Sequence, residues 1–292
     1  MHTRKPAVAG QFYAGQHDAC LSEIRQCLEE RPLEENLPDD IVAGIVPHAG
    51  WMFSGAVAAM VFAAIKEVHE KVHTFVLFGA IHRYNGLLGA VYNRGSWQSP
   101  LGEVKIDEDL ADEILKDNDT VEANLDAHKD EHSIEVQVPF VQHLFVGAKI
   151  VPILVQPTEN AVDIGRRVGE IIASVRDKKI VCIGSTDLTH YGPRYGFCPK
   201  GVGADAIQWA RDVNDMEFIQ AALNMDTQKM LQTASRNFSA CGSGAATATV
   251  AAARQLGKQQ GILLAHTNSS EVMQQKFDQT SQESVGYAAI IY

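Results

Sequence analysis

Three apolar, β-branched runs in this chain break off the same way, each into a short turn of small residues that delivers a histidine. Ile41–Val46 runs into Pro47-His48-Ala49-Gly50-Trp51, and Thr74–Phe78 into Gly79-Ala80-Ile81-His82-Arg83. Lys179–Ile183 runs into Gly184-Ser185-Thr186-Asp187-Leu188-Thr189-His190-Tyr191-Gly192. Runs of this length, apolar at nearly every position, read as strands buried on both faces. Such strands need a layer of helices on either side, so the pattern selects an α/β sheet. The carboxyl edge of such a sheet is where ligands and catalytic groups gather. The small residues beside each histidine allow a tight turn and leave room for a ligand.

Further strands are expected at Lys149–Val155, Gly261–His266 and Ser284–Tyr292. Helical patterns fill the intervals at Ala19–Glu30, Gly55–Val68, Asp107–Lys116, Ala161–Arg176, Gly203–Met225 and Gly242–Leu256. This order fits a central mixed sheet as well as a purely parallel one, with helices on both faces. No repeat interrupts it, and the acidic, proline-bearing stretch Glu29–Asp40 is too short for a linker, so residues 1–292 are expected to form one domain. A chain of 292 residues buries a core without staples. Its five cysteines include no C-x-x-C pair; Cys20 and Cys27 share one helical face, and Cys182 lies inside an apolar run. That usage fits a reducing compartment. With no signal-peptide pattern and no apolar run long enough to cross a bilayer, the expected location is the cytoplasm, with no membrane partner. The net charge of −11 argues against nucleic acid as a partner.

One histidine past a strand is ordinary; three at equivalent topological positions point to a shared site. Two other segments join them. Asp130-Glu131-His132-Ser133-Ile134-Glu135 is either an acidic helix start or part of the site. Ser239-Ala240-Cys241-Gly242-Ser243-Gly244 precedes a helix of small residues, where a thiolate is favoured by unpaired backbone N–H groups; the alternative is a small residue chosen for close packing. Two imidazoles and a thiolate suit Zn, Cu or Fe(II) and not Mg or Ca, and three protein ligands leave coordination positions open. Asp187 and His190, three apart, are spaced for a pair in which Asp187 orients His190 as a proton shuttle. Tyr191 and His132 are candidates for supporting the site, and Arg83 for holding an anionic group. The chain contains no G-x-x-x-x-G-K-[ST], G-x-S-x-G, H-E-x-x-H or post-strand G-x-G-x-x-G, which disfavours nucleotide binding and serine-hydrolase chemistry.

Several of these segments resemble one family. Arg4-Lys5-Pro6-Ala7-Val8-Ala9-Gly10-Gln11-Phe12-Tyr13 looks like its N-terminal signature, and Val46–Trp51, Glu131–Glu135, Ser185–Gly192, Ala240-Cys241-Gly242 and Ser284–Ala289 follow in order. Together they resemble the MEMO family, called in prokaryotes AmmeMemoRadiSam system protein B. The resemblance implies a fold similar to class III extradiol dioxygenases. It also implies a mononuclear metal site with ligands matching His48, His82 and Cys241, holding Fe or Cu by preference, or Zn. Asp187 and His190 match polar residues lining that pocket, with His190 in the place of the dioxygenase acid/base; His132 joins them as a catalytic candidate. Implied partners are a small-molecule substrate or a peptide, and AMMECR1-type and radical-SAM proteins. The chain departs from the family pattern at Ile81-His82-Arg83, where Ser-His-His is common, at Ala14, where proline is usual, and at Trp51, where tyrosine is common. The expected activity is a dioxygenase-like, metal-dependent oxidoreductase. A binding module that reuses the fold is the alternative, with a zinc hydrolase in third place.

Overall fold

In the computed structural model, which describes residues 2–33, 37–83 and 86–292, the strands follow the apolar runs. They are β1 (Thr3–Arg4), β2 (Ala43–Val46), β3 (Thr74–Gly79), β4 (Gly89–Val91), β5 (Ser96–Ser99) and β6 (Gly102–Lys105). The chain continues with β7 (Glu122–Ala123), β8 (Lys149–Val155), β9 (Ile180–Ser185), β10 (His190–Tyr191), β11 (Ile262–Asn268) and β12 (Ser284–Ile291). Each of the six expected strands lies within two residues of its observed bounds. Part of the acidic stretch Glu29–Asp40, residues 34–36, lies outside the described residues.

The main sheet runs β10-β12-β2-β9-β3-β8-β4-β7, with β11 added on β12. Its centre, β2-β9-β3-β8, is parallel. The flanking β12 and β4 run antiparallel to it, so the sheet is mixed. Parallel strands point their carboxyl ends the same way, which carries the turns after β2, β3 and β9 to one edge.

Two glycines show how the helices are layered. Helices α1 (His17–Glu30), α2 (Trp51–Val68), α3 (Glu108–Leu115), α4 (Val138–Leu144) and α5 (Asn160–Ser174) come first. After them come α6 (Ala204–Trp209), α7 (Met216–Leu223), α8 (Thr227–Asn237), α9 (Ser243–Gln255) and α10 (Ser269–Phe277). Gly44 of β2 abuts Val61 of α2, and Gly184 of β9 abuts Thr249 of α9. Gly184 pairs with Ile45, the neighbour of Gly44, so the two glycines face opposite sides of the sheet. The α2 and α9 layers therefore cover opposite faces. Among the described residues, α2 is the one helix long and apolar enough to cross a bilayer, against the expectation that no run reaches that length. Most of it is buried inside the protein, which explains its hydropathy as that of a core helix.

Sequence patterning left α4, α8 and α10 unassigned, along with a second sheet of order β1-β5-β6. The expected helix Gly203–Met225 is broken by a π-helical turn at Ala210–Asp215. Cys20, Cys27 and Cys182 are all buried in the core, as their patterns indicated.

Candidate metal centre

The edge past β2, β3 and β9 holds a pocket of about 640 Å³. His48, His82, His132, Asp187 and His190 all line it. His48 sits at its hub. The Ser185 hydroxyl donates to the Ser133 carbonyl at 2.7 Å, so at 3.0 Å it accepts a proton from Nδ1 of His48. The neutral ring therefore presents a bare lone pair at Nε2, which lies 3.1 Å from the Cys241 Sγ. Burial, then the neighbouring His82 and His132, hold the His48 pKa well below its ordinary value, which keeps the ring neutral. The turn carrying it is fixed by Asp187, whose Oδ1 accepts the His48 N–H at 2.7 Å and the Ala49 N–H at 3.2 Å.

His82 is set in the same manner from the other side. Its Nδ1 lies 2.9 Å from Glu131 Oε1, and its backbone N–H donates to Glu131 Oε2 at 3.1 Å. Burial lowers the His82 pKa, but the hydrogen bond and charge of Glu131 outweigh it, and the net shift is upward. Burial opposes ionisation of Glu131, yet the His82 contact overcomes it and the carboxyl is held far below its usual range. The segment Asp130–Glu135 is thus no solvated helix start: Glu131 and Glu135 are buried. Glu135 accepts from Arg4 Nη1 at 2.7 Å and from the N–H groups of Ala7 and Val8. The N-terminal Arg4–Tyr13 segment therefore clamps the turn that carries Glu131 and His132.

The His82 and His132 rings stack at 4.7 Å, and His48 stands edge-on to both at 5.1 and 5.3 Å. Two groups of donor atoms, each within 4.8 Å of one another, share His48: His48 with His82 and His132, and His48 with Asp187 and Cys241. The expected trio His48, His82 and Cys241 is distributed over these two groups. The donors fit a borderline transition-metal cation, and the two hydrogen-bonded imidazoles have the oxygen partners that metal-bound histidines use.

Cys241 differs from its sequence-based reading. It stands one residue outside α9, whose N-cap is Gly242, and its N–H donates to the Asp187 carbonyl at 3.2 Å. Burial and the Asp187 charge push the thiol pKa up, so the helix terminus does not by itself make a thiolate. A cation bound between His48 and Cys241 would supply that deprotonation. The glycines around it answer to packing: a Cβ on Gly242 would run into the Ser185 carbonyl, and one on Gly244 would stand 2.6 Å from the Gln156 carbonyl.

His190 lines the pocket, but Asp187 does not hold its ring. Its Nδ1 donates to the Leu188 carbonyl at 3.1 Å, so Nε2 is the ring nitrogen not engaged by that bond. Asp187 acts on it through charge alone: burial raises the Asp187 carboxyl, and His190 opposes that rise. Tyr191 points away, since adjacent strand residues face opposite sides. Its hydroxyl donates to the Gly201 carbonyl, and it packs on Phe197 and Trp209. Arg83 lines a neighbouring cleft of about 340 Å³ and pairs with Asp130 at 3.6 Å. The cation at the main pocket is instead Arg194, and the apolar walls include Phe12, Phe53, Met273 and Tyr287. These residues come from five separate segments; Phe12 and Tyr287 fall within the quoted family-like segments, and no motif announced Phe53, Arg194 or Met273.

The family profile described as "Memo-like protein" matches residues 4–291. The chain belongs to this Memo-like family. A MEMO1 family protein of Thermococcus onnurineus is 38% identical over 99% of both chains. One from Methanosarcina mazei is 37% identical over 100% of this chain and 99% of its own, and one from Caldivirga maquilingensis 35% over 100% and 99%. Among solved structures, an uncharacterized Escherichia coli K12 protein aligns with a TM-score of 0.47 at 11% identity, over 85% of this chain and 99% of that one. The Memo-like segments quoted from the sequence map onto the pocket and its clamp. The match covers the N-terminal arm, all three strand-end histidines and the turn that holds Cys241.

Proposed function

We propose that this Memo-like protein is a metal-dependent oxidoreductase with His48, His82 and Cys241 as its principal ligands. The observation that carries the reading is the fixed, bare Nε2 of His48, a residue that lines the open pocket, 3.1 Å from the Cys241 Sγ. Fe or Cu bound there would supply an open coordination position and a redox couple able to take electrons from an oxidisable substrate, with dioxygen as the terminal oxidant. Residues of the chain do the rest. Glu131 and Ser185 orient the two imidazoles. The Nε2 atom of His190 takes a substrate proton as general base. Phe12, Phe53 and Met273 give the pocket apolar walls against which an aromatic ring can pack. A small oxidisable molecule of catechol type fits this division of labour.

The test is metal content by mass spectrometry on anaerobically purified protein, wild type beside His48→Ala. Near-stoichiometric Fe or Cu in wild type, absent in the variant, supports the reading. Bound Zn with ester turnover moves the protein to hydrolysis, and a wild type that takes up no added metal sinks the metalloenzyme. Oxygen consumption by Fe(II)-loaded protein across a catechol panel then tests the reaction.

A second reading rests on Arg194. Its guanidinium lines the pocket, and no ion pair holds it among the described residues. An anionic peptide or partner protein suits that cation, and the AMMECR1-type and radical-SAM partners belong to this reading. Pull-down that survives loss of the metal favours it; loss of binding on Arg194→Ala with metal retained gives it a site.

A further inference from the structure

The proposed ligands leave one imidazole of the pocket without a task. His132 stacks on His82 at 4.7 Å with an interplanar angle of 18° and stands edge-on to His48 at 5.3 Å. Ligand atoms of the three rings lie within 4.8 Å of one another. Among the described residues no hydrogen bond holds the His132 ring, and its closest carboxylate oxygen, on Glu131, is 3.7 Å away. Its two neighbours are each pinned at Nδ1, by Ser185 and by Glu131, so both direct Nε2 away from those partners. The segment that carries His132 is itself immobilised. Glu131 accepts the Ser133 N–H at 2.8 Å, and the Arg4 guanidinium donates to the Glu131 carbonyl at 2.6 Å and to Glu135.

Two ligand sets therefore share His48: one adds a thiol and a carboxylate, the other two imidazoles. We propose that His132 is a metal ligand in its own right, completing with His48 and His82 an all-imidazole set that holds a borderline divalent cation without Cys241. The proposal rests on the metal reading of the pocket and extends it. Three neutral imidazoles form a complete ligand set for Zn(II) and Co(II), with an open position left over. The thiolate is the oxidisable member of the site, and an all-nitrogen set keeps the cation when the sulfur is lost.

The experiment measures Zn(II) stoichiometry after dialysis, and Co(II) absorption, on four full-length proteins. They are the wild type, Cys241→Ala, His132→Ala and the double variant. Thermal melts check that each is folded, and His132→Gln replaces His132→Ala if the latter is not. The expected result is one equivalent of Zn(II) in wild type and in each single variant, and its loss in the double variant. In Cys241→Ala the Co(II) d–d bands persist, while the near-ultraviolet thiolate charge-transfer band disappears. A folded Cys241→Ala protein that holds no metal overturns the proposal, as does a double variant that still holds one equivalent. A wild type that binds no metal overturns the underlying reading, so the two failures are distinct.

Discussion

The Nδ1 atom of His48 lies 3.0 Å from the Ser185 hydroxyl, and that hydroxyl is committed as a donor to the Ser133 carbonyl at 2.7 Å. The chain fixes the His48 tautomer without any charged group. In Ser185→Ala the ring loses that constraint, and either nitrogen can carry the proton. Removing such an outer partner weakens metal affinity by about 10- to 100-fold. Competition with a chromophoric chelator measures this, and unchanged affinity in a folded Ser185→Ala protein contradicts the assignment.

Gly242 and Gly50 give a matched contrast. A Cβ at Gly242 meets the Ser185 carbonyl inside contact distance and the Thr186 Cα at 3.0 Å, both backbone groups that do not give way. At Gly50 the nearest atom is the Phe12 carbonyl oxygen at 3.6 Å, an ordinary contact, and its φ of −56° suits any residue. Gly242→Ala should cost about 1–3 kcal/mol by overpacking and loosen the metal by shifting Cys241. Gly50→Ala should be near neutral. Thermal unfolding with parallel metal titration separates them; equal effects refute the packing argument.

Arg4 and Glu135 form a buried ion pair, and the guanidinium also lies 4.2 Å over the Trp97 ring. Arg4→Met leaves the Glu135 charge buried with only Ala7, Val8 and Tyr13 as donors. Breaking one side of such a pair costs about 3–5 kcal/mol. Adding Glu135→Leu should recover part of that loss by removing the stranded charge. Urea unfolding of both variants decides it, and a double variant no better than the single would place the stabilisation elsewhere.

The layered α/β sheet was legible because long apolar strands announce themselves locally, and the strand-end turns marked His48, His82 and His190 for the same reason. The pocket walls were legible only in part, through Phe12 and Tyr287 in the family-like segments. Phe12, Phe53, Arg194, Met273 and Tyr287 meet only through tertiary structure. Tyr191 misled because it sits beside His190, and strand alternation turned it to the opposite face. Glu131 and Glu135 were open to two readings from sequence, and what decides between them, the partners His82 and Arg4, arrives from 49 and 131 residues away. Helix α8 is amphipathic but the most polar of the longer helices, and α10 is short and weakly amphipathic, so neither stood out as an apolar run.

His128 makes the acid response of the fold predictable. The ring is fully buried, Nε2 donates to the Ala90 carbonyl at 3.0 Å, and Nδ1 has no partner. Burial, reinforced by the Arg4 charge, pulls its pKa from the ordinary 6.5 down to about 3. Between those two values the unfolded chain binds a proton that the folded chain does not, so stability falls as pH drops through this window. The limiting slope is about 1.4 kcal/mol per pH unit. Above pH 6.5 His128 contributes no pH dependence. His48 and His132 are also shifted down and act in the same direction. His82, shifted up, acts oppositely: its contribution is fully present below its unfolded pKa and is lost as pH rises through the higher folded value. Comparison with His128→Gln isolates the one group, since the amide can still donate to Ala90 and does not titrate. Urea unfolding at pH 7.5 and pH 5 should show the stability advantage of wild type over His128→Gln shrinking at the lower pH. An advantage that is the same at both pH values would mean that His128 is protonated in the folded protein or solvated when it opens.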